Sequence, residues 1–161
     1  MRNTFNYFKR IFTNKIEILE KEAEVGHVQF NNFKTEVTGE FKHKIYSFKK
    51  KGFWSSGYDI YRKDNEQLIG EVVISNWKKK AEITLINGEK FVMEPKNFWG
   101  TQWRIDDTNR EVMNFQQTKK FFANEGSINA EVNDNEKMGL LVLLGIFVNF
   151  LYQRRSAAAA S

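Results

Sequence analysis

Two clusters in this 161-residue chain set lysines beside an indole: Lys49-Lys50-Lys51-Gly52-Phe53-Trp54 and Trp77-Lys78-Lys79-Lys80. Such clusters suit stacking on nucleic-acid bases or settling at a lipid headgroup layer while the ammonium groups meet phosphate. A purely structural use is equally physical, with Trp54 and Trp77 anchoring loops and the lysines solvated. Groups able to break bonds are scarcer. The absence of Cys removes thiol catalysis, disulfides and Cys-ligated metal together. His27 and His43 stand sixteen residues apart, outside any metal-ligand spacing. There is no G-x-S-x-G and no P-loop. Asp106-Asp107 could pair as acid and base, but Asp106-Asp107-Thr108-Asn109 has the composition of a hairpin tip, and turn chemistry explains both carboxylates. The chain is expected not to be an enzyme, with no catalytic residue, no metal ligand and no cofactor.

Net charge is +5, unevenly spread. Residues 1–40 balance; residues 41–104 carry thirteen Lys/Arg against seven acids; residues 105–136 carry three against seven; the last 25 add +3. The middle of the chain is therefore basic and the stretch before the last hydrophobic run acidic. A basic excess can attract the phosphates of lipid or nucleic acid, although surface lysines often serve only solubility. With 41% hydrophobic and 28% charged residues the composition is that of one globular domain large enough to bury a core. The N-terminus has no continuous apolar stretch of signal-peptide length, so export by the common route is not expected.

The elements that would position the lysines follow from periodicity. Phe5, Phe8, Phe12, Ile16 and Leu19 recur at spacings of three and four, so residues 1–24 are expected as a short N-terminal helix or tail, with Ile16-Glu17-Ile18-Leu19 as an alternative first strand. From Val25 the period becomes two: Val28 and Phe30, then Gly70, Val72 and Ile74, then Ala81, Ile83 and Leu85, then Ile128 and Ala130. Turn signals recur every 8–12 residues, among them Lys51-Gly52, Asp64-Asn65, Ser75-Asn76-Trp77-Lys78, Asn87-Gly88 and Asn124-Glu125-Gly126. Asn87-Gly88 is the strongest, a two-residue turn needing positive φ twice. Eleven or twelve strands in sequential hairpins argue a barrel or sandwich.

Gly139 to Tyr152 is the one long apolar run. As a helix its fourteen residues span about 21 Å, short against roughly 30 Å of bilayer hydrocarbon, yet apolar on every side, which marks a helix surrounded by protein. It is expected over about residues 137–153, capped from Asn133-Asp134-Asn135-Glu136, with residues 156–161 a disordered tail. Leu140, Leu141, Leu143, Leu144, Ile146, Phe147 and Phe150 are the expected interior side chains.

Many meandering strands followed by one hydrophobic helix, with the stretches Tyr58-Asp59-Ile60-Tyr61-Arg62-Lys63-Asp64, Leu68-Ile69-Gly70-Glu71 and Ser75-Asn76-Trp77-Lys78-Lys79-Lys80-Ala81, resemble the tubby C-terminal-like superfamily. That group includes tubby domains, phospholipid scramblases and LURP-one-related proteins. The resemblance covers about residues 25–153 and is closest to the LURP-one-related proteins or their bacterial relatives. It implies a mainly β fold: a closed antiparallel β-barrel of about 12 strands wrapped around a C-terminal hydrophobic α-helix. Tubby domains bind phosphoinositides through Lys and Arg on the barrel, but no such position matches here residue by residue. Scramblases are linked to calcium, yet Asn133-Asp134-Asn135-Glu136 lacks the glycine and ligand spacing of a calcium loop. The expectation is a non-enzymatic binding module, monomeric, cytoplasmic and peripheral to the membrane, meeting anionic phospholipid or a protein partner. Lys49, Lys50, Lys51, Lys78, Lys79 and Lys80 are the candidate lipid-binding residues. A C-terminal tail anchor is the alternative, opposed by helix length and by Asn149, which would lie unpartnered in lipid. Nucleic-acid binding ranks behind both and is not expected.

Overall fold

The computed structural model describes residues 2–9, 12–31, 36–52, 56–75, 77–119 and 122–160, with side chains described for all of these except 119, 122–124 and 156–160. Twelve strands form one closed antiparallel barrel in which each strand pairs with its sequence neighbours. They are β1 (Asn3–Lys9), β2 (Lys15–Glu20), β3 (Ala23–Phe30), β4 (Glu36–Phe41), β5 (Lys44–Lys50), β6 (Gly57–Arg62), β7 (Leu68–Ser75), β8 (Lys80–Leu85), β9 (Lys90–Pro95), β10 (Gln102–Asp106), β11 (Glu111–Lys119) and β12 (Phe122–Ala130). Pairing of β1 with β12, Asn3 opposite Ala130 and Phe8 opposite Glu125, closes the ring and leaves no edge strand. The helix α1 (Asn135–Ala160) runs through the interior.

Residues 3–20 are two strands, so the expected N-terminal helix is corrected. The spacing of Phe5, Phe8, Phe12, Ile16 and Leu19 mimics a helix, but the buried side chains are Phe5 and Tyr7, then Ile16 and Ile18, in period two. Closure decides the matter, because without β1 and β2 the sheet would keep two open edges around an apolar helix. The barrel therefore begins at residue 3 rather than 25. Two turns also differ. β12 runs straight through Asn124-Glu125-Gly126; glycine stands at 126 because a Cβ there would lie 2.5 Å from the Tyr7 hydroxyl. At Asn87-Gly88 only Gly88 has positive φ, and its N–H donates to Leu85 O across a longer turn. Paired positive φ occurs instead at Lys21-Glu22 and Lys42-His43, which carry no turn residue. The left-handed conformation costs a non-glycine residue roughly 1–2 kcal/mol, and the strand register on either side imposes it.

The helix explains the barrel's size. From Leu140 to Val148 every side chain is buried, on all sides of the helix. Phe150 departs from expectation: it is half-buried, its ring 3.9 Å from that of Phe30. Close approach comes from glycines set against large side chains. A Cβ at Gly139 would lie 2.5 Å from the Phe41 ring, one at Gly145 2.0 Å from the Phe115 ring, and one at Gly39 on the barrel wall 3.1 Å from Leu143. Asn149, also buried, accepts a hydrogen bond from Gln153 at 3.1 Å. At 26 residues the helix is long enough to cross a bilayer, so the length argument against a tail anchor does not hold. Burial carries it instead: 72% of the apolar stretch is covered by the barrel. The helix also passes its expected end. Residues 156–160, expected as a disordered tail, are helical in backbone, in keeping with alanine's high helix propensity.

The helix start is fastened by charge. Asp134 is the N-cap, its carboxylate accepting from Lys137 N–H at 3.0 Å. Lys137 reaches Glu89 at 2.6 Å, and Arg62 pairs with Glu136.

Two outcomes follow from this packing. Gly145→Ala should lower stability by about 1–3 kcal/mol through overpacking against the buried Phe115, although alanine is the better helix former by about 1 kcal/mol. Urea unfolding of the variant, and of Gly145→Ala with Phe115→Leu as the relieving partner, checks it. Lys137 holds the Glu89 carboxyl below its ordinary range, and the N–H groups of Asn109 and Arg110 do the same for Asp107. A depressed acid stabilises above its unfolded value and loses that contribution as pH falls through the folded one. Thermal midpoints should therefore fall below about pH 4, gradually and less steeply in high salt, because both groups are only partly buried.

Candidate functional site

An up-and-down barrel sorts its connections alternately to two ends. At the end where α1 enters lie residues 21–22, 42–43, 63–67, 86–89, 107–110 and 131–134; at the exit end lie, among the described residues, 12–14, 31, 51–52, 56, 77–79 and 96–101. In sequence the full exit connections, from strand to strand, contain no Asp or Glu, and each contains at least one Lys or Arg and at least one Phe or Trp. The entry connections contain no Phe, Trp or Tyr, and they hold Glu22, Asp64, Glu66, Glu89, Asp107, Glu131 and Asp134.

Both lysine clusters reach the exit end. Lys49 and Lys50 close β5 with Lys51 just beyond; Lys78 and Lys79 form the β7–β8 turn and Lys80 opens β8. Their surroundings divide them. Lys51 is held by Asp59 at 3.2 Å and by Glu71 on the outer wall, and these carboxylates keep its ammonium above its usual range. Lys49 lies over the Tyr61 ring and 4.0 Å from Glu66. Lys80 is 3.7 Å from Glu82. Lys50, Lys78 and Lys79 have no ion pair among the described residues, and Lys78 and Lys79 are exposed. Trp77 is 94% exposed, so it does not anchor its loop. Phe53 and Trp54, and Asn76 in the second turn, lie outside the described residues.

The turn beside those lysines is tied to the helix. The Tyr152 hydroxyl lies 2.7 Å from Ser75 O and 3.0 Å from Lys80 O, bridging the two ends of the 76–79 connection. Burial pushes this phenol up to about 12, so it stays a donor at neutral pH. Its ring stacks on Trp103 at 5.2 Å, and Trp103 Nε1 donates to Gly100 O at 2.9 Å. In the same connection Asn97 Oδ1 accepts from the N–H of Thr101. One aromatic pair on α1 and β10 thus supports two neighbouring exit connections.

Residue-by-residue inspection of the sequence singled out the lysine runs but missed Phe12, Phe98, Trp99 and Lys96. These carry no local motif. Their signal is positional, since grouping alternate turns of a meander puts them with the lysine clusters.

The carboxylates singled out at the hairpin tip stay apart, whereas the two histidines come together. Asp106 ends β10 beside Arg104, at 3.2 Å, with its carboxyl raised by desolvation, while Asp107 caps the hairpin tip. The two carboxylates are thus engaged separately, one by Arg104 and the other by backbone N–H groups of the tip. His27 and His43 line one shallow surface depression with Glu24, Glu40 and Lys42, where His27 Nδ1 is 3.7 Å from Glu40. Among the described residues no three His, Asp or Glu side chains are grouped to hold a metal.

The helix dipole accounts for only part of the charge polarity. It favours Asp134 and Glu136 at the helix start, but the effect fades within a turn. The last turn of α1 holds no basic residue, so the dipole does not explain Lys78 and Lys79.

Comparison with known proteins gives one match, the family model for LURP-one-related proteins over residues 9–149. No curated protein and no solved structure matches.

Removing the hydroxyl in Tyr152→Phe should cost about 1 kcal/mol, since two carbonyls lose a partner they can replace with water. Hydrogen exchange should accelerate in residues 76–80 while the β2–β3 hairpin is unchanged, which mass spectrometry of peptic fragments can measure.

Proposed function

The chain belongs to the LURP-one-related family, within the tubby-like C-terminal superfamily, and from that premise we propose that it is a non-enzymatic binding module for anionic phospholipid surfaces. The observation that supports this reading is the axial separation of charge, with acid-free connections carrying lysines at the exit end. Lysines gathered at one end of the barrel suit a layer of anionic headgroups, and they would orient the barrel before contact. Such a module would sit peripherally on the cytoplasmic face of a membrane, where anionic lipids concentrate. The family carries no defined activity, and within this chain neither the histidines nor Asp106 and Asp107 form a catalytic arrangement.

Each lysine near an anionic surface contributes on the order of 1 kcal/mol, and the attraction decays over about 10 Å at 0.1 M salt. Lys78 and Lys79 should therefore carry more of the binding than the ion-paired Lys49, Lys51 and Lys80. Co-sedimentation with phosphatidylserine-containing vesicles at low salt is the test. Replacing Lys78 and Lys79 by Gln should weaken binding on the order of thirtyfold, and replacing all six lysines should weaken it further. Equal binding by the wild type and the six-lysine variant would remove these lysines from the contact. Absence of binding by the wild type would end the lipid reading.

A further inference from the structure

We propose that the exit end also carries an insertion rim, in which Phe12, Trp77, Phe98 and Trp99 enter the headgroup–acyl boundary of a bilayer and set the barrel with the far end of α1 toward the lipid. This rests on the lipid reading above and adds a second, apolar kind of contact to it.

Three observations carry it. First, the aromatic residues are where burial would normally exclude them. Phe12 is fully exposed, Trp77 94%, Phe98 87% and Trp99 80%, and among the described residues every exposed large aromatic lies in an exit connection. Soluble surfaces expose single apolar residues commonly, as with Ile86 at the entry end, but four aromatics on three connections of one end are a concentration. Second, the tips stand on fixed backbone. Tyr152 closes the 76–79 connection, Trp103 and Asn97 hold the 96–101 connection, and the Phe98 and Trp99 rings meet edge to face at 5.4 Å. At these two connections, which carry Trp77, Phe98 and Trp99, little ordering is left to do on docking. Third, cations stand beside the tips: Lys78 and Lys79, without an ion pair among the described residues, follow Trp77, and Lys96, held by Glu111 at 3.1 Å, precedes Phe98. A protein partner would call for a continuous apolar patch with charge at its rim. Separate apolar tips with ammonium groups beside them fit a bilayer interface, where anionic and apolar layers lie within about 5–10 Å.

The experiment uses the full chain and vesicles of phosphatidylcholine with and without phosphatidylserine, some with brominated acyl chains. It compares the wild type with a Trp77→Ser, Phe98→Ser, Trp99→Ser variant, whose fold is checked by near-ultraviolet circular dichroism and thermal midpoint. The wild type should keep a bound fraction at about 1 M salt, where the Debye length is about 3 Å, and brominated chains should quench its tryptophan emission. The triple variant should bind about tenfold or more weakly, lose the salt-resistant fraction and show less quenching, with Trp103 as a buried reference. If the triple variant binds anionic vesicles as the wild type does, and salt strips both completely, the rim is overturned while the lipid reading stands. If the wild type does not bind anionic vesicles, both fall. If the only effect of the three substitutions is to abolish concentration-dependent self-association, the rim is a protein contact and the proposal is overturned.

Discussion

The structure depends on one act of mutual burial, an apolar helix inside a barrel whose inner wall is apolar too. Neither surface tolerates water, and each is the other's only cover. α1 is buried on all its sides from Leu140 to Val148, so a sheet that covered one side of it would leave the rest wet. Twelve strands complete the enclosure. The fit is reciprocal: Phe41 and Phe115 reach from the wall to glycines on the helix, and Leu143 reaches from the helix to a glycine on the wall. This arrangement lets large side chains fill the space between helix and wall without enlarging the ring.

Enclosing a helix gives the barrel a direction. One mouth receives the capped, ion-paired start of α1 and the other the stretch around Tyr152. Because every connection in the meander joins neighbouring strands, connections fall alternately at the two mouths, and each mouth can acquire its own chemistry. At the first, Asp134, Glu136 and Glu89 serve the helix start. At the second, lysines and aromatics line connections that do not help fill the core. Tyr152 belongs to both systems, since its ring continues the core through Trp103 and its hydroxyl holds the turn that carries Trp77, Lys78 and Lys79.

Ion pairing then grades the lysines. Lys49, Lys51 and Lys80, at or just beyond strand ends, find carboxylates on the outer wall: Glu66 of the 63–67 connection for Lys49, Asp59 on β6 and Glu71 on β7 for Lys51, and Glu82 two residues along its own strand for Lys80. Those in the turn project beyond the ladder, where no strand supplies an acid. A charge run that is uniform in sequence is therefore not uniform in what it offers a ligand. The same geometry separates Asp106 from Asp107, one at the end of a strand and the other at the hairpin tip.

The sequence by itself determined the run of sequential hairpins and the enclosed helix, and placed its cap within residues 133–136, because those follow from period, length and local hydrogen bonding; period left barrel and sandwich open, and the family resemblance pointed to the barrel. Alternation of Val72 with Ile74 and of Ile83 with Ala81 needs no knowledge of distant partners. It also determined that Lys78 and Lys79 sit in a turn. It did not determine the fate of residues 3–20, where a helical spacing of Phe and Ile coincided with two strands; ring closure against β12 and β3 overrode it. Nor did it identify the two-residue turns at Lys21-Glu22 and Lys42-His43, where register on either side forces a backbone that the residues themselves disfavour. The grouping of Phe12, Trp77, Phe98 and Trp99 was likewise decided only in three dimensions. Residues far apart in sequence share one end only because an even-stranded meander returns there at every second turn.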